Sequence, residues 1–228
     1  MLIRSLCLGM VPDMAPLRDA AQALARNTSG LRQVQALRVL RHIPTDSVTG
    51  SKAHTGVTRE ADDIQWVLEL YFEGTGMPVA HAPWETFAAR VRAAAPVLFS
   101  FDTQANIPIA PHGAALEGGF RRWMLLARKA ATEDAFRDAW FGRHASLVKQ
   151  LPHVDGYLQN LVTRRFDAAG REVDYAALPV DGIAELCFAD EAAMNASYAS
   201  DARLALRDDG RDLLGRITTV LVHGEVIA

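Results

Sequence analysis

The pattern that most restricts how this chain can fold is a repeat: the order strand, helix, strand, strand, helix, strand occurs twice. The second half carries the cleaner signals. Trp123 to Ala127 is a short apolar run that suits a buried strand. Thr132-Glu133-Asp134 has the character of a helix start, because a Thr hydroxyl accepts from an orphan amide and acids favour the positive end of the helix dipole. Phe136, Ala139, Trp140, Leu147, Val148 and Leu151 follow at helical spacing, and Pro152 limits that helix. Val154 to Val162 reads as a strand, a polar stretch with Gly170 and Asp174 follows, and Ile183 to Phe188 is the next strand. Asp190-Glu191 opens a helix carrying Met194 and Tyr198. A polar connecting stretch from Arg207 to Arg211 leads to a last strand, Ile217 to Val226.

The first half reads in the same order. Leu2 to Met10 is a strand, and Pro16 suits the first turn of a helix with Leu17, Ala20, Ala21 and Leu24 as its apolar stripe and Gly30 at its end. Val34 to Ile43 is a strand, followed by a loop rich in Gly, Ser and Thr from Pro44 to Thr58. Ile64 to Phe72 is the third strand. Pro83 opens a helix with Trp84, Phe87, Ala88 and Val91 on one face, Pro96 closes it, and Val97 to Asp102 is the fourth strand.

Residues match as well as order. Leu17-Arg18-Asp19-Ala20 aligns with Phe136-Arg137-Asp138-Ala139, Leu31 and Val34 with Leu151 and Val154, and Glu69-Leu70-Tyr71-Phe72 with Glu185-Leu186-Cys187-Phe188, at offsets of about 116 to 120 residues. The division expected is one repeat over 1–104, a Pro-, Ala- and Gly-containing linker over 105–119, and a second repeat over 120–228. A βαββαβ unit is the ferredoxin-like α+β arrangement: a four-stranded antiparallel sheet with both helices on one face. The other face stays apolar and has to be covered. Two such sheets packed face to face cover each other within one chain; pairing between chains is the alternative that a linker of about fifteen residues also permits.

Composition narrows the function classes. Half of the 228 residues are hydrophobic, 22% are charged, and the formal net charge is -3 with both signs mixed along the chain. There is no basic stripe, so nucleic-acid binding has no electrostatic footing. No apolar run approaches the ~20 residues needed to span a bilayer, and Met1 to Met10 reads as a strand and not as a signal peptide, which makes the cytoplasm the expected location. Cys7 and Cys187 lie far apart in apolar segments and form no CxxC pair, so both read as buried free thiols. Metalloprotease, serine hydrolase, dinucleotide and P-loop motifs are missing, and no His pair has metal-ligand spacing. Neither a metal nor a cofactor is expected.

The second half resembles the EthD family of dimeric α/β-barrel proteins. The residues that carry the resemblance are Phe136, Trp140 and His144; then Leu151-Pro152, Val154, Gly156-Tyr157 and Gln159-Asn160; then Asp181-Gly182-Ile183-Ala184-Glu185-Leu186; and the strand ending at His223. It covers about Phe120 to Ala228. The first half departs from the pattern: Ala25 stands where His144 would be, Ala21 replaces Trp140, and Ala36 or Leu37 replaces Tyr157. The resemblance implies an intrachain pseudo-dimer of the barrel fold, open to further homo-oligomerisation. Related barrels include cofactor-free monooxygenases, polyketide cyclases, lactone isomerases and haem-binding enzymes. The EthD family itself is associated with ether degradation and with aromatic or polyketide pathways.

The candidate residues lie in that half. His144 shares the buried helix face with Phe136 and Trp140, where it is either a general acid or base or a core His with one hydrogen bond. Glu185 sits inside an apolar strand on the face of Ile183 and Cys187; it either holds His144 in one tautomer or acts as a base, or it is an edge or rim carboxylate facing solvent, a structural role that its repeat partner Glu69 supports. Tyr157 lines a pocket or packs in the core. Asn160, three residues along the same strand, points to the other face. Trp140 is a ligand platform or core, and His223 approaches the pocket or is a plain strand His. The expected function is binding, and transformation by cofactor-independent acid/base chemistry, of a small hydrophobic or aromatic compound. His144, Tyr157 and Glu185 would be catalytic, and Trp140, Asn160 and His223 would bind the ligand. The alternative is a non-catalytic accessory protein using the same pocket.

Overall fold

A computed structural model describes residues 1–10, 12–44, 56–74 and 81–228, the side chains of His81 and Ala82 excepted. Most of the loop read from Pro44 to Thr58, with His54, lies outside the described residues. The first repeat comprises β1 (Leu2–Leu8), α1 (Met14–Asn27), β2 (Leu31–Ile43), β3 (Trp66–Phe72), α2 (His81–Ala94) and β4 (Val97–Ile109). In the second repeat β5 (Gly118–Arg128) leads to α3 (Glu133–Ala139), a π turn (Trp140–His144) and α4 (Ala145–Val148). Then come β6 (Gly156–Phe166), a two-residue β7 (Glu172–Val173), β8 (Gly182–Phe188), α5 (Glu191–Tyr198), α6 (Ala202–Leu213) and β9 (Leu214–Val226).

Each half has the strand order expected of a βαββαβ unit, β4-β1-β3-β2 and β9-β5-β8-β6. The halves do not remain two separate facing sheets. They join at both edges, with Arg38 opposite His223 where β2 meets β9 and Phe101 opposite Arg165 where β4 meets β6. The result is a closed eight-stranded antiparallel barrel within one chain, whose opposite walls cover each other. The reason is that edge strands carry unpaired amides and carbonyls, and closure removes all four edges at once. The stretch 105–119 takes part in this: β4 continues to Ile109, a short 3-10 turn spans Gly113–Glu117, and β5 starts at Gly118. Gly118 has φ 112°, and a side chain there would fall 2.3 Å from the carbonyl carbon of Gly224, so the crossing needs glycine.

Closure buries both faces of a strand. All seven residues of β8 are buried. Gly182, Ala184, Leu186 and Phe188 face outward to the helices, while Ile183, Glu185 and Cys187 face into the barrel. Four apolar residues of α1, Leu17, Ala20, Ala21 and Leu24, pack on the outer face of the first half as their spacing predicts. One element differs from its sequence reading. The polar stretch Arg207 to Arg211 is not a connection but part of α6, a helix that turns Leu206, Asp209, Gly210 and Leu213 inward. Its sparse apolar residues recur every three or four positions, and the charged residues between them hide the stripe. No helix among the described residues is long and apolar enough to cross a membrane.

Candidate functional site

The outer face of the second half carries the site. Thr132 caps α3 by accepting from the Ala135 amide at 3.3 Å, as its position predicts. Phe136 and Trp140 are fully buried, their rings 5.2 Å apart. Trp140 lies over Gly182 so closely that a Cβ there would fall 2.4 Å from the ring. The π turn that follows is wider than an α-helical turn, a distortion often found at functional sites. Gln159, wholly buried on β6, donates to the Trp140 carbonyl at 2.7 Å. The turn delivers His144 to α6, where its Nδ1 lies 2.6 Å from Asp209 Oδ2. Arg143 pairs with the same carboxylate. Burial works against the Asp209 charge, but the hydrogen bonds and charges of His144 and Arg143 outweigh it and hold the carboxyl below its ordinary range.

His144 opens onto a cavity between the sheet and α4 to α6. The cavity has a volume of about 50 Å³ and opens to solvent. Tyr157 forms part of the wall, with Met124, Val148, Leu186 and Leu206 as apolar neighbours. The Tyr157 hydroxyl accepts from Gln159 at 3.0 Å. Burial pushes this phenol well up, so it keeps its proton at neutral pH, and among the described residues nothing accepts that proton. A bound oxygen could.

A second polar group fills the middle of the barrel. Arg121 meets Glu185 at 2.5 Å and Glu69 at 3.5 Å, and it donates to Gln35 and, at 3.3 Å, to the Tyr71 hydroxyl. Asn160 donates to Glu185 at 2.7 Å, and Trp123 and Tyr71 donate to Glu69 at 2.9 and 2.6 Å. Burial and the nearby Glu185 raise Glu69 to about 7, against the opposing pull of Arg121.

Residues 128–216 match the family model of the EthD domain. The matched stretch lies within the second half of the chain, which is EthD-like over those residues. Solved structures resemble the chain over nearly its whole length. A candidate monooxygenase from Lactobacillus acidophilus NCFM is 9% identical, with 98% of this chain and 93% of that one covered and a TM-score of 0.59. An anthrone oxidase-like protein is 10% identical over 100% and 93%, with a TM-score of 0.56. A chlorite dismutase variant from Candidatus Nitrospira defluvii in complex with cyanide is 10% identical over 99% and 91%, with a TM-score of 0.52. At such identities the likeness establishes the dimeric α/β-barrel fold alone. No curated protein matches the chain.

Within the second half the structure brings His144 and Tyr157 to one cavity and sends the other candidates elsewhere. Glu185 and Asn160 share the barrel interior, on the far side of the sheet from His144. Asp209 takes the place beside the imidazole that sequence reasoning gave to Glu185. Trp140 is core, against Gly182, and is not among the residues that line the cavity. His223 is exposed on β9 and lines no part of the cavity either. Sequence reasoning missed Asp209, because α6 was read as a connection, and it assigned no role to Gln159, which it had noted only as a matching residue. The clue to Gln159 was an amide two residues from Tyr157 on the same strand face.

A tetrapyrrole is many times larger than the cavity of about 50 Å³ beside His144, which Tyr157, Val148 and Leu186 line. The residues present do not fit a haem. Among the described residues no cluster of three or more His, Cys, Asp or Glu side chains could hold a metal.

Proposed function

We propose that the EthD-like half binds a small hydrophobic or aromatic organic molecule in the outer cavity and that His144 moves a proton on it. The observation that carries this reading is the pairing of His144 with Asp209 at the wall of a cavity that Tyr157 also lines. A carboxylate on Nδ1 fixes the tautomer that leaves Nε2 free to accept a proton, and it supports the imidazolium that forms. Tyr157, protonated and with an unused hydrogen, donates to an oxygen of the ligand and stabilises charge that develops there. Asp209 and Gln159 act through these two as positioning residues. General acid/base catalysis of this kind is worth roughly 10²–10⁴-fold in rate and needs no cofactor.

A non-catalytic binding role for the same cavity is the second reading. The volume of about 50 Å³ lies below the roughly 300–1,000 Å³ of pockets that enclose drug-sized ligands, which limits either reading to a small ligand. One experiment separates the two. The protein is incubated with a panel of aromatic acids, ketones and lactones, products are followed by mass spectrometry, and His144→Ala is run beside the wild type. Turnover that falls at least roughly 10²-fold in the variant supports proton transfer by His144. Undiminished turnover removes His144 from the mechanism, and binding without turnover leaves the accessory role.

A further inference from the structure

The same cavity holds charge that the protein does not neutralise. Arg122 of β5 and Arg203 and Arg207 of α6 line it together with Tyr198. Arg122 is only 6% exposed, and its Nε has no hydrogen-bond partner. Its guanidinium carbon stands 4.6 Å from the centroid of the Tyr198 ring, and that of Arg203 stands 4.9 Å from the same centroid. One aromatic ring thus holds two cations. Arg207 is occupied with Asp208 at 3.3 Å, and Asp209 with His144 and Arg143. Among the described residues no carboxylate pairs with Arg122 or Arg203. Burial, and then the charges of Arg122, Arg207 and Arg211, depress the Arg203 guanidinium in spite of Tyr198.

A buried cation without a counter-charge is costly, and a buried donor without an acceptor adds to the cost. Evolution tolerates such an arrangement where a ligand supplies the missing group. The planar fork of an arginine matches a carboxylate in two parallel hydrogen bonds. Between the arginines and the His144–Tyr157 wall the lining is apolar, through Met124, Leu186 and Leu206. We propose that the ligand of this cavity is a small apolar carboxylate, its acid group held by Arg122 and Arg203 and its body lying against Met124 and Leu186 beside His144 and Tyr157. This rests on the reading of the cavity as the ligand site and adds the class of ligand to it.

The test compares benzoate with benzamide, equal in shape and different in charge. Each is titrated into the wild-type protein, with calorimetry for affinity and the His144 ring resonance, assigned by its loss in His144→Ala, to report the location. Benzoate is expected to bind at least roughly tenfold more tightly than benzamide and to shift the His144 signal. In the Arg122→Gln/Arg203→Gln protein, checked for its fold by circular dichroism, that preference is expected to disappear. Benzamide that shifts His144 and binds as tightly as benzoate to the wild type overturns the carboxylate while leaving the cavity reading in place. A preference unchanged in the double variant overturns it too. Inorganic phosphate that displaces benzoate at equal concentration shows a general anion site and overturns the ligand class. If neither probe moves His144, this inference and the cavity reading fall together.

Discussion

His144 Nδ1 lies 2.6 Å from Asp209 Oδ2, a contact that ties the π turn Trp140–His144 to α6. The carboxylate decides which ring nitrogen of His144 carries the proton of the neutral imidazole. Asp209→Asn keeps the shape and removes the charge. Nitrogen chemical shifts of the His144 ring are expected to report protonation at Nδ1 in the wild type and a mixture of tautomers in the variant. A single unchanged tautomer would mean that Asp209 does not set it. Because Asp209 is held below its ordinary range, its contribution to stability is present above the unfolded value and is lost as pH falls through the folded one. The wild-type advantage over Asp209→Asn should therefore shrink in strong acid.

Gly182 and Trp140 are in closer contact than any other residue permits. A methyl group at 182 would fall 2.4 and 2.5 Å from two ring carbons of a tryptophan that is itself fully buried. The ring cannot swing away, since Phe136 and Phe141 lie against it at 5.2 and 5.5 Å. Overpacking of this kind costs about 1–3 kcal/mol. Gly182→Ala should lower the melting temperature by several degrees, at about 2–4 °C per kcal/mol for a chain of this size. An unchanged melting temperature would contradict the packing described.

Gln159 joins three parts of the protein. It donates to the Trp140 carbonyl and the Tyr157 hydroxyl, and it accepts from Asn106 of β4 at 2.8 Å. Gln159→Leu fills similar space and takes this partner from the Tyr157 hydroxyl and the Asn106 amide, while the Trp140 carbonyl keeps the Ala145 amide. The expected loss is about 1–3 kcal/mol in urea unfolding, the cost of stranding buried polar groups. Ligand affinity should fall as well, because the Tyr157 hydroxyl loses the group that aims it. A stable variant with full affinity would show that waters replace the amide.

The fold was legible because its signals are local and repeated. The alternation within β8, the Thr132 cap and the Leu17–Leu24 stripe each depend on neighbours in sequence, and the recurrence of Glu69 as Glu185 marked the two halves as one unit used twice. The site was legible only in part. Tyr157 and Asn160 were correctly read to opposite faces, since strand geometry alone decides that. The partner of His144 was not legible. Asp209 lies 65 residues away on a helix whose apolar positions are few, and nothing local distinguishes it from Asp208. Glu185, the carboxylate most conspicuous in sequence, proves to be turned into the barrel, where Arg121 takes it up. Arg122, next to Arg121, points to the opposite face and has no such partner. Which charges meet depends on the closed tertiary structure, and sequence spacing does not carry that information.

Glu69 gives a pH dependence that tests the barrel interior apart from the outer cavity. Burial and Glu185 raise its carboxyl from 4.5 to about 7. A carboxyl raised in the folded state binds its proton more tightly there than in the unfolded chain. Its contribution to stability is complete below about 4.5 and is lost as pH rises through about 7. At ~1.4 kcal/mol per unit the loss is on the order of 3 kcal/mol, an upper figure given the hydrogen bonds from Tyr71 and Trp123 that favour the charge. Glu69→Gln cannot ionise and retains an oxygen for one of those donors. Unfolding free energies measured in urea at pH 5 and pH 8 should fall for the wild type and change less for the variant. Parallel behaviour of the two proteins would mean that Glu69 is ionised throughout this range, with Arg121 serving both carboxylates at once.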